Sequence, residues 1–191
     1  MLKPVNILLV GVGGQGTILA TRVLAKAAQD AGYDIKVSEI KGMAQRGGSV
    51  VTQVRLGEKV YSPLISEGGA DVILAFEKME ARRWLPYLKT DGHIIVNDQA
   101  IHPVPVLTGA AEYPADCLEK VKAATPHAIV VDALNIALAC GNPKAANVVL
   151  VGVLARRLPI PKETWQAALK ARVPEKFIEV NLKAFEEGYS I

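Results

Sequence analysis

Along this chain, short runs of apolar residues alternate with longer segments in which apolar residues recur at helical spacing. The runs ILLV at 7–10 and DVILAF at 71–76 predict strands that are covered on both faces. Alternating apolar residues predict a strand at Asp34–Ile40. Ser49–Leu56 and Lys59–Ser62 predict a hairpin that turns at Gly57–Glu58. Further strands are predicted at 93–96 and 128–131, whereas 100–106, with two prolines, predicts an edge strand or an extended loop.

Seven segments carry helical patterns, and they lie at 16–31, 77–88, 114–124, 133–140, 145–158, 161–172 and 174–188. The segment 145–158 is apolar nearly all round, so either other layers of the same domain or another subunit must cover it. In the last segment, Phe177, Leu182 and Phe185 are predicted to form the buried stripe. Strands that alternate with helices indicate an α/β fold, and the hairpin makes the mostly parallel sheet a mixed one.

The turn after the first strand is dense in glycine. Gly11, Gly13 and Gly16 have the Gly-x-Gly-x-x-Gly spacing, and Gly14 adds a fourth glycine. Such a turn can take positive φ and let a ligand approach the main chain, and the following helix directs its unpaired N–H groups at the same gap. These features predict an anion site, most naturally for phosphate. The alternative is that the glycines only permit tight packing of strand and helix.

Two polar residues in this turn, Gln15 and Thr17, can add hydrogen bonds to a ligand, although Thr17 can also cap the helix. A second glycine-rich loop at 41–49 contains Arg46, Gly47 and Gly48. Loops at the carboxyl ends of neighbouring strands converge on one crevice, where an arginine can grip a phosphate or a carboxylate of a partner chain. A solvated loop arginine is the equally weighted alternative.

Composition narrows the possible partners. The 191 residues carry a net charge of +3 without a lysine or arginine block, so we expect no nucleic acid and no membrane partner. The start of the chain lacks the pattern of a signal peptide, and the default expectation is a cytoplasmic protein. The chain has two cysteines, Cys117 and Cys140, whereas an ordinary iron–sulfur cluster needs four, so this chain alone cannot hold one. The simplest interpretation is that both are core thiols.

No recognisable reaction centre follows the glycine turn. Glu39 lies 23 residues beyond Gly16, where the ribose-binding acid of a dinucleotide enzyme is found. The three histidines, His93, His102 and His127, occur in unrelated sequence contexts, and nothing near them forms a hydride-transfer set. The sequence therefore predicts no catalytic residue and no metal site on this chain.

Several stretches together resemble the gamma-type component of the 2-oxoacid:ferredoxin oxidoreductases, and within that family the branch that acts on indolepyruvate. The two central stretches are VGVGGQGTILA (10–20) and KVSEIKGMAQRGGSVVTQVRLGEKVYSPLI (36–65), which contains GMAQRGGSV (42–50). The supporting stretches are ADVILAFEKMEARRWLPYL (70–88), TGAAEYPAD (108–116) and VPEKFIEVNLKAFEEGY (173–189). The likeness runs nearly end to end.

The resemblance implies a single Rossmann-like α/β/α domain over 1–191, with its core at about 1–142 and C-terminal helices at about 143–191. It implies an accessory subunit that docks on a large subunit holding thiamine diphosphate, Mg²⁺ and iron–sulfur clusters. Such a complex oxidatively decarboxylates an arylpyruvate, indolepyruvate above all, to arylacetyl-CoA and carbon dioxide and reduces ferredoxin. The setting it implies is anaerobic amino-acid fermentation in the cytoplasm.

The resemblance also connects the glycine loops with coenzyme A, whose phosphates suit Gly11–Thr17 and Arg46–Gly48. The alternative is that the same loops form the subunit contact. Two other readings stay open. One is a free-standing NAD- or FAD-binding oxidoreductase that uses Gly11, Gly13, Gly16 and Glu39, and the other is a purely structural assembly module whose glycine turns bind nothing.

Overall fold

Six strands form one sheet in the computed structural model, which describes residues 2–42 and 47–191. The strands are β1 (Val5–Val12), β2 (Asp34–Lys41), β3 (Ser49–Gly57), β4 (Ala70–Ala75), β5 (Leu88–Asn97) and β6 (Ala128–Val131). Their order across the sheet is β2–β3–β1–β4–β5–β6. Strands β1, β4, β5 and β6 pair in parallel, whereas β3 is antiparallel to both of its neighbours. The predicted mixed, mostly parallel sheet is confirmed.

The predicted hairpin partner at Lys59–Ser62 is wrong, because no strand forms there. Strand β3 is instead enclosed by β1 on one edge and β2 on the other, so neither edge is open to a returning strand. The segment after β3 folds onto the start of β2, where the Val60 N–H donates to a carboxylate oxygen of Asp34 at 2.8 Å. The antiparallel element of the sheet thus comes from β3 itself.

Eight α-helices are described, namely α1 (Thr17–Asp30), α2 (Lys78–Arg83), α3 (Val104–Leu107), α4 (Cys117–Ala124), α5 (Ala133–Cys140), α6 (Ala146–Ala155), α7 (Lys162–Lys170) and α8 (Ile178–Tyr189). The helix predicted at 77–88 is shorter, because α2 gives way to a 3₁₀ turn at Leu85–Tyr87 that contains Pro86. The strand predicted at 93–96 is longer, because β5 already begins at Leu88 and includes Gly92. In the proline-containing stretch, residues 100–103 form a loop as predicted, whereas 104–106 belong to α3.

The helices cover both faces of the sheet. Side chains of α1, α5, α6, α7 and α8 form one core with inward residues such as Ile7 and Leu9 of β1. On the opposite face, Ala81 of α2 and Val121 of α4 pack with Leu8 and Val10. Adjacent residues of β1 therefore contact different helical layers, as expected for a strand between two layers. The result is a three-layer α/β/α arrangement.

Helix α6 is covered within the chain. All of its residues from Asn147 to Ala155 are buried, and it packs chiefly against α8. The two helices cross at Gly152 and Gly188, where an added Cβ at Gly188 would overlap the backbone carbonyl of Val149. Because the backbones touch at this crossing, both glycines are needed for the close approach of α6 and α8.

The buried stripe of α8 differs from the prediction at one residue. Phe185 is fully buried and Leu182 packs against the core, but Phe177 precedes α8 and is 38% exposed. The reason is a 3₁₀ turn at Glu175–Phe177, which changes the helical register before α8 begins. Within the described ranges, no helix has both the length and the apolar character needed to cross a membrane.

Two histidines meet where β5 begins to pair with the edge strand β6. The rings of His93 and His127 lie 4.8 Å apart between centroids, although their sequence contexts suggested no relation. Burial, followed by the nearby charges of His127 and Arg157, lowers the pKa of His93 below its ordinary value. Protonation of His93 would add a cation beside two other basic groups, so the neutral form is favoured in the folded chain.

Gly188→Ala should destabilise the chain by roughly 2 kcal/mol or more, because the new methyl meets backbone that cannot move aside cheaply. This cost exceeds the gain of about 1 kcal/mol in helix propensity. Chemical denaturation measures the free energy of unfolding, with Glu187→Ala on the exposed side of α8 as the control. Equal stability of both variants would contradict the described crossing.

The pH dependence of stability should reflect His93. Its folded pKa is lowered, so below about pH 6.5 the unfolded chain binds more protons, and stability falls as the pH decreases. His93→Gln should therefore reduce the difference in melting temperature between pH 7.5 and pH 5. His102→Gln, at the ring that contacts Tyr113, is the control. An unchanged difference in the His93 variant would exclude this coupling.

Candidate functional site

The glycine turn lies at the carboxyl end of β1 and leads directly into α1. Two of its residues have left-handed backbone, Gly14 with φ 101° and Gly16 with φ 79°. Gly16 is the N-cap of α1, whose first turn has no side-chain cap and no acidic residue. The first N–H groups of a 14-residue helix are therefore left for another acceptor.

A cavity of about 800 Å³ opens in front of this turn. Gly13–Gly16 and Gly47 line one side, and residues that follow β4 and β5, together with α5, α6 and the segment between them, line the others. The further lining residues are Phe76, Asn97, Gln99, Ile101, Leu134, Pro143, Lys144, Ala146, Asn147 and Leu150. The cavity thus combines a helix N-terminus, one lysine, several amides and apolar side chains, which is the composition of a site for a polar ligand with an apolar part.

Seven of the nine predicted site residues, all except Arg46 and Gly48, divide into two groups. Gly13, Gly14, Gln15, Gly16 and Gly47 lie at the cavity. Gly11 and Thr17 lie behind it. Both are buried, and an added Cβ at Gly11 would come within 3.0 Å of the Phe76 side chain and 3.5 Å of the Thr17 methyl group. These two residues serve the packing of strand and helix, and no side chain caps α1, so Thr17 does not act as its cap.

The two predicted glycine loops do meet. The Gly13 N–H donates to the carbonyl of Gly48 at 2.9 Å, and the Gly47 N–H donates to the carbonyl of Gly13 at 3.4 Å. Part of the main-chain hydrogen-bonding capacity of the two loops is therefore used in bonds between them. Gly14 and the start of α1 remain to face a ligand. Arg46, the predicted phosphate-binding cation, lies outside the described residues.

Gln15 is fully engaged with the protein. Its Oε1 accepts from the Val12 N–H at 2.9 Å, and its Nε2 donates to the Phe76 carbonyl at 2.7 Å and to Gln99 Oε1 at 3.0 Å. The predicted hydrogen bond from Gln15 to a ligand is thus replaced by a structural role, since its amide ties the turn to the end of β4.

Four further polar residues at the cavity, Asn97, Gln99, Lys144 and Asn147, were missed by sequence reasoning. Asn97 ends β5, and the rule that ligands bind beyond the carboxyl ends of parallel strands could have identified it. Lys144 and Asn147 come from the start of the C-terminal helices, more than 120 residues after the glycine turn. No local pattern indicates that they approach it.

Asn147 contacts the turn directly. Its Nδ2 donates to the carbonyl of Gly16 at 3.2 Å, which fixes the orientation of the amide because the oxygen would repel that carbonyl. The residue is 8% exposed, and its Oδ1 has no hydrogen-bond partner in the described parts of the chain. A buried acceptor without a partner is costly in a folded protein, and this one lies beside the glycine turn.

A second polar cluster secures the loop between β5 and α4. The buried carboxylate of Glu77 accepts from the backbone N–H groups of Glu80 at 2.9 Å and Ile101 at 3.1 Å, and from the Tyr113 hydroxyl. Burial and the Glu77 carboxylate strongly raise the pKa of Tyr113. Burial also raises the pKa of the Cys117 thiol, which fits the prediction of a core cysteine. This cluster holds the cavity residue Ile101 in place.

Glu39 does not reach the glycine turn. It lies on the edge strand β2, with β3 between it and β1, and its carboxylate is 3.1 Å from the Lys41 ammonium. In residues 2–42 and 47–191, no group of three or more histidine, cysteine or acidic side chains is arranged to hold a metal ion. The described site thus presents binding groups without a metal-ligand set.

Comparison with known proteins places this geometry in a family. Residues 6–191 match the family model described as pyruvate ferredoxin/flavodoxin oxidoreductase. The chain is 41% identical to indolepyruvate oxidoreductase subunit IorB of Pyrococcus horikoshii over 98% of this chain and 95% of that protein. It is also 42% identical to the subunit of the same name from Thermococcus kodakarensis, with the same coverage.

A solved structure supports the same assignment. The gamma subunit of a keto/oxoacid ferredoxin oxidoreductase from Geobacter sulfurreducens superposes with a TM-score of 0.73 at 26% identity, over 97% of this chain and 96% of that one. The expected fold and the resemblance noted from the glycine motifs are both confirmed. The chain belongs to the pyruvate ferredoxin/flavodoxin oxidoreductase family, as a subunit of a 2-oxoacid:ferredoxin oxidoreductase.

Proposed function

We propose that this chain is the small subunit of a complex that oxidatively decarboxylates arylpyruvates, indolepyruvate above all. The products are arylacetyl-CoA and carbon dioxide, and the electrons pass to ferredoxin. Thiamine diphosphate, Mg²⁺ and the iron–sulfur clusters belong to the large subunit in this proposal, and the complex acts in the cytoplasm. Identity of 41–42% to IorB subunits over nearly the whole chain supports the substrate class.

We further propose that the cavity at the glycine turn binds coenzyme A. The observation that carries this proposal is the uncapped N-terminus of α1, which faces a cavity of about 800 Å³ with no acidic residue in its first turn. Its N–H groups and the Lys144 ammonium suit the phosphates. Ile101, Leu134 and Leu150 provide apolar surface for the rest of the ligand.

The chain's own groups favour a subunit that binds over one that reacts. Two cysteines cannot hold an ordinary cluster of four thiolates, so an electron carrier of that kind must be on another chain. The position of Glu39 on the far side of β3 counts against a dinucleotide site of the ordinary type, in which the acid follows the strand next to β1. A free-standing NAD or FAD oxidoreductase is therefore the weaker reading.

A purely structural module is the second candidate, and one observation favours it. The glycine loops bond to one another through Gly13 and Gly47–Gly48, and Gly11 is needed for packing alone. The same surface would then form the contact with the large subunit, and the cavity would hold no ligand in the assembled complex.

Reconstitution tests the assignment of the reaction. The chain should be inactive alone, and together with its large subunit it should reduce ferredoxin with indolepyruvate and coenzyme A faster than with pyruvate. A complex without activity on any arylpyruvate would contradict the proposed substrate class. Turnover by the isolated chain would contradict the proposed division of labour.

Calorimetric titration tests the proposed ligand. Coenzyme A should bind more tightly than NADH, and Lys144→Gln should weaken coenzyme A binding by roughly two- to fivefold, since the lysine is exposed and its ion pair partly screened. Lys183→Gln on α8 is the control for the loss of one positive charge. If neither coenzyme A nor NADH binds to the assembled complex at this chain, the structural reading is preferred.

A further inference from the structure

Gln99 lies two residues after β5 and forms part of the cavity wall next to the glycine turn, where its side chain contacts Gln15. It is partly exposed, and its backbone is fixed by the Lys78 N–H, which donates to its carbonyl at 3.0 Å. The end of its side chain carries an acceptor oxygen and a donor nitrogen that have nearly the same shape. Which of them faces the cavity decides what a ligand must present there.

A first set of hydrogen bonds, in the glycine turn, fixes the orientation of the Gln99 amide. Gln15 Oε1 must accept from the Val12 N–H, so Gln15 Nε2 is the end that lies near Phe76 and Gln99. An amide nitrogen is only a donor, and therefore the atom of Gln99 at 3.0 Å from it must be the oxygen.

Asn97 independently indicates the same orientation of the Gln99 amide. Its Oδ1 accepts from the Ala133 N–H at 3.2 Å, so its Nδ2 is directed at the Phe76 carbonyl and at Gln99 Oε1, both at 3.2 Å. Two donors thus converge on the oxygen of Gln99. A flipped amide would place its nitrogen against both, which excludes that orientation.

The donor end of Gln99 is consequently the free one. Nε2 has no hydrogen-bond partner among residues 2–42 and 47–191, and the cavity that Gln99 lines is also lined by the apolar side chains of Ile101, Leu134 and Leu150. A neutral donor in such surroundings suits a neutral carbonyl oxygen, whereas a phosphate is better served by the start of α1 and by Lys144.

We propose that Gln99 determines specificity in this cavity by donating a hydrogen bond to a carbonyl oxygen on the uncharged arm of the ligand. This inference rests on the proposed function, in which the ligand is coenzyme A, whose arm carries amide carbonyls. In this proposal the phosphates lie at the N-terminus of α1 and the arm passes Gln99, while Gln15 and Asn97 are positioning residues that hold the donor in place.

The test compares Gln99→Met with the natural chain, using two probes in calorimetric titrations. One probe is coenzyme A, and the other is adenosine 3′,5′-bisphosphate, which keeps the nucleotide and lacks the arm. Gln99→Met should weaken coenzyme A binding by about three- to tenfold and leave the bisphosphate unchanged, as expected for the loss of one neutral hydrogen bond. Gln29→Met on the exposed side of α1 is the control.

Gln99→Glu keeps an oxygen for Gln15 and Asn97 and replaces only the donor. It therefore tests whether the donor contributes to coenzyme A binding even if the methionine variant folds poorly. It should weaken coenzyme A binding at least as much, relative to Gln29→Glu. Unchanged coenzyme A binding in the Gln99 variants, or equal loss for both probes in Gln99→Met, would overturn the role of Gln99 alone. If the natural chain, free and in its complex, binds neither probe, the proposed coenzyme A site is overturned with it.

Discussion

The carbonyl group of Phe76 joins the carboxyl ends of the three parallel strands at the centre of the sheet. Phe76 directly follows β4, and its carbonyl accepts from Gln15, which follows β1, and from Asn97, which ends β5. Because all three residues are buried or partly buried, each amide must satisfy its donors and acceptors inside the protein. The form of the cavity depends on this arrangement, since it sets where the glycine turn stands relative to the wall that carries Gln99.

The order of the strands explains why a turn with the dinucleotide-binding spacing need not bind a dinucleotide. The strand inserted between β1 and β2 moves Glu39 one strand away from the turn. What stays in place is the part that depends only on local geometry, the left-handed glycines and the uncapped start of α1. An anion site can therefore persist while the ribose-binding acid is lost.

The C-terminal helices belong to the same core as the strands. Helix α6 is buried between the sheet and α8, and the contact of Gly152 with Gly188 lets the two helices approach closely. The beginning of this segment supplies Lys144 and Asn147 to the cavity. Packing of α6 thus positions site residues as well as stabilising the fold, so a change at the helix crossing would also affect the cavity.

The sequence by itself determined the features that depend on neighbouring residues. The strand at 128–131, the helix 133–140 with Gly141 at its end, the glycine turn and the α/β class all follow from local periods and from the conformations that glycine allows. The combined motifs also indicated the family. Each of these features depends on residues that are close together in the sequence, so a local pattern is enough to predict it.

Only the tertiary structure decided the pairings. It placed β3 between β1 and β2 in place of the predicted hairpin, brought His93 against His127, and moved Phe177 out of the core. It also converted Gln15 from a predicted ligand contact into a structural one, and presented Gln99 and Asn147 to the cavity. Which edge is open to a strand, and which amide finds a partner, depends on residues far apart in the chain, and no local pattern records their contact.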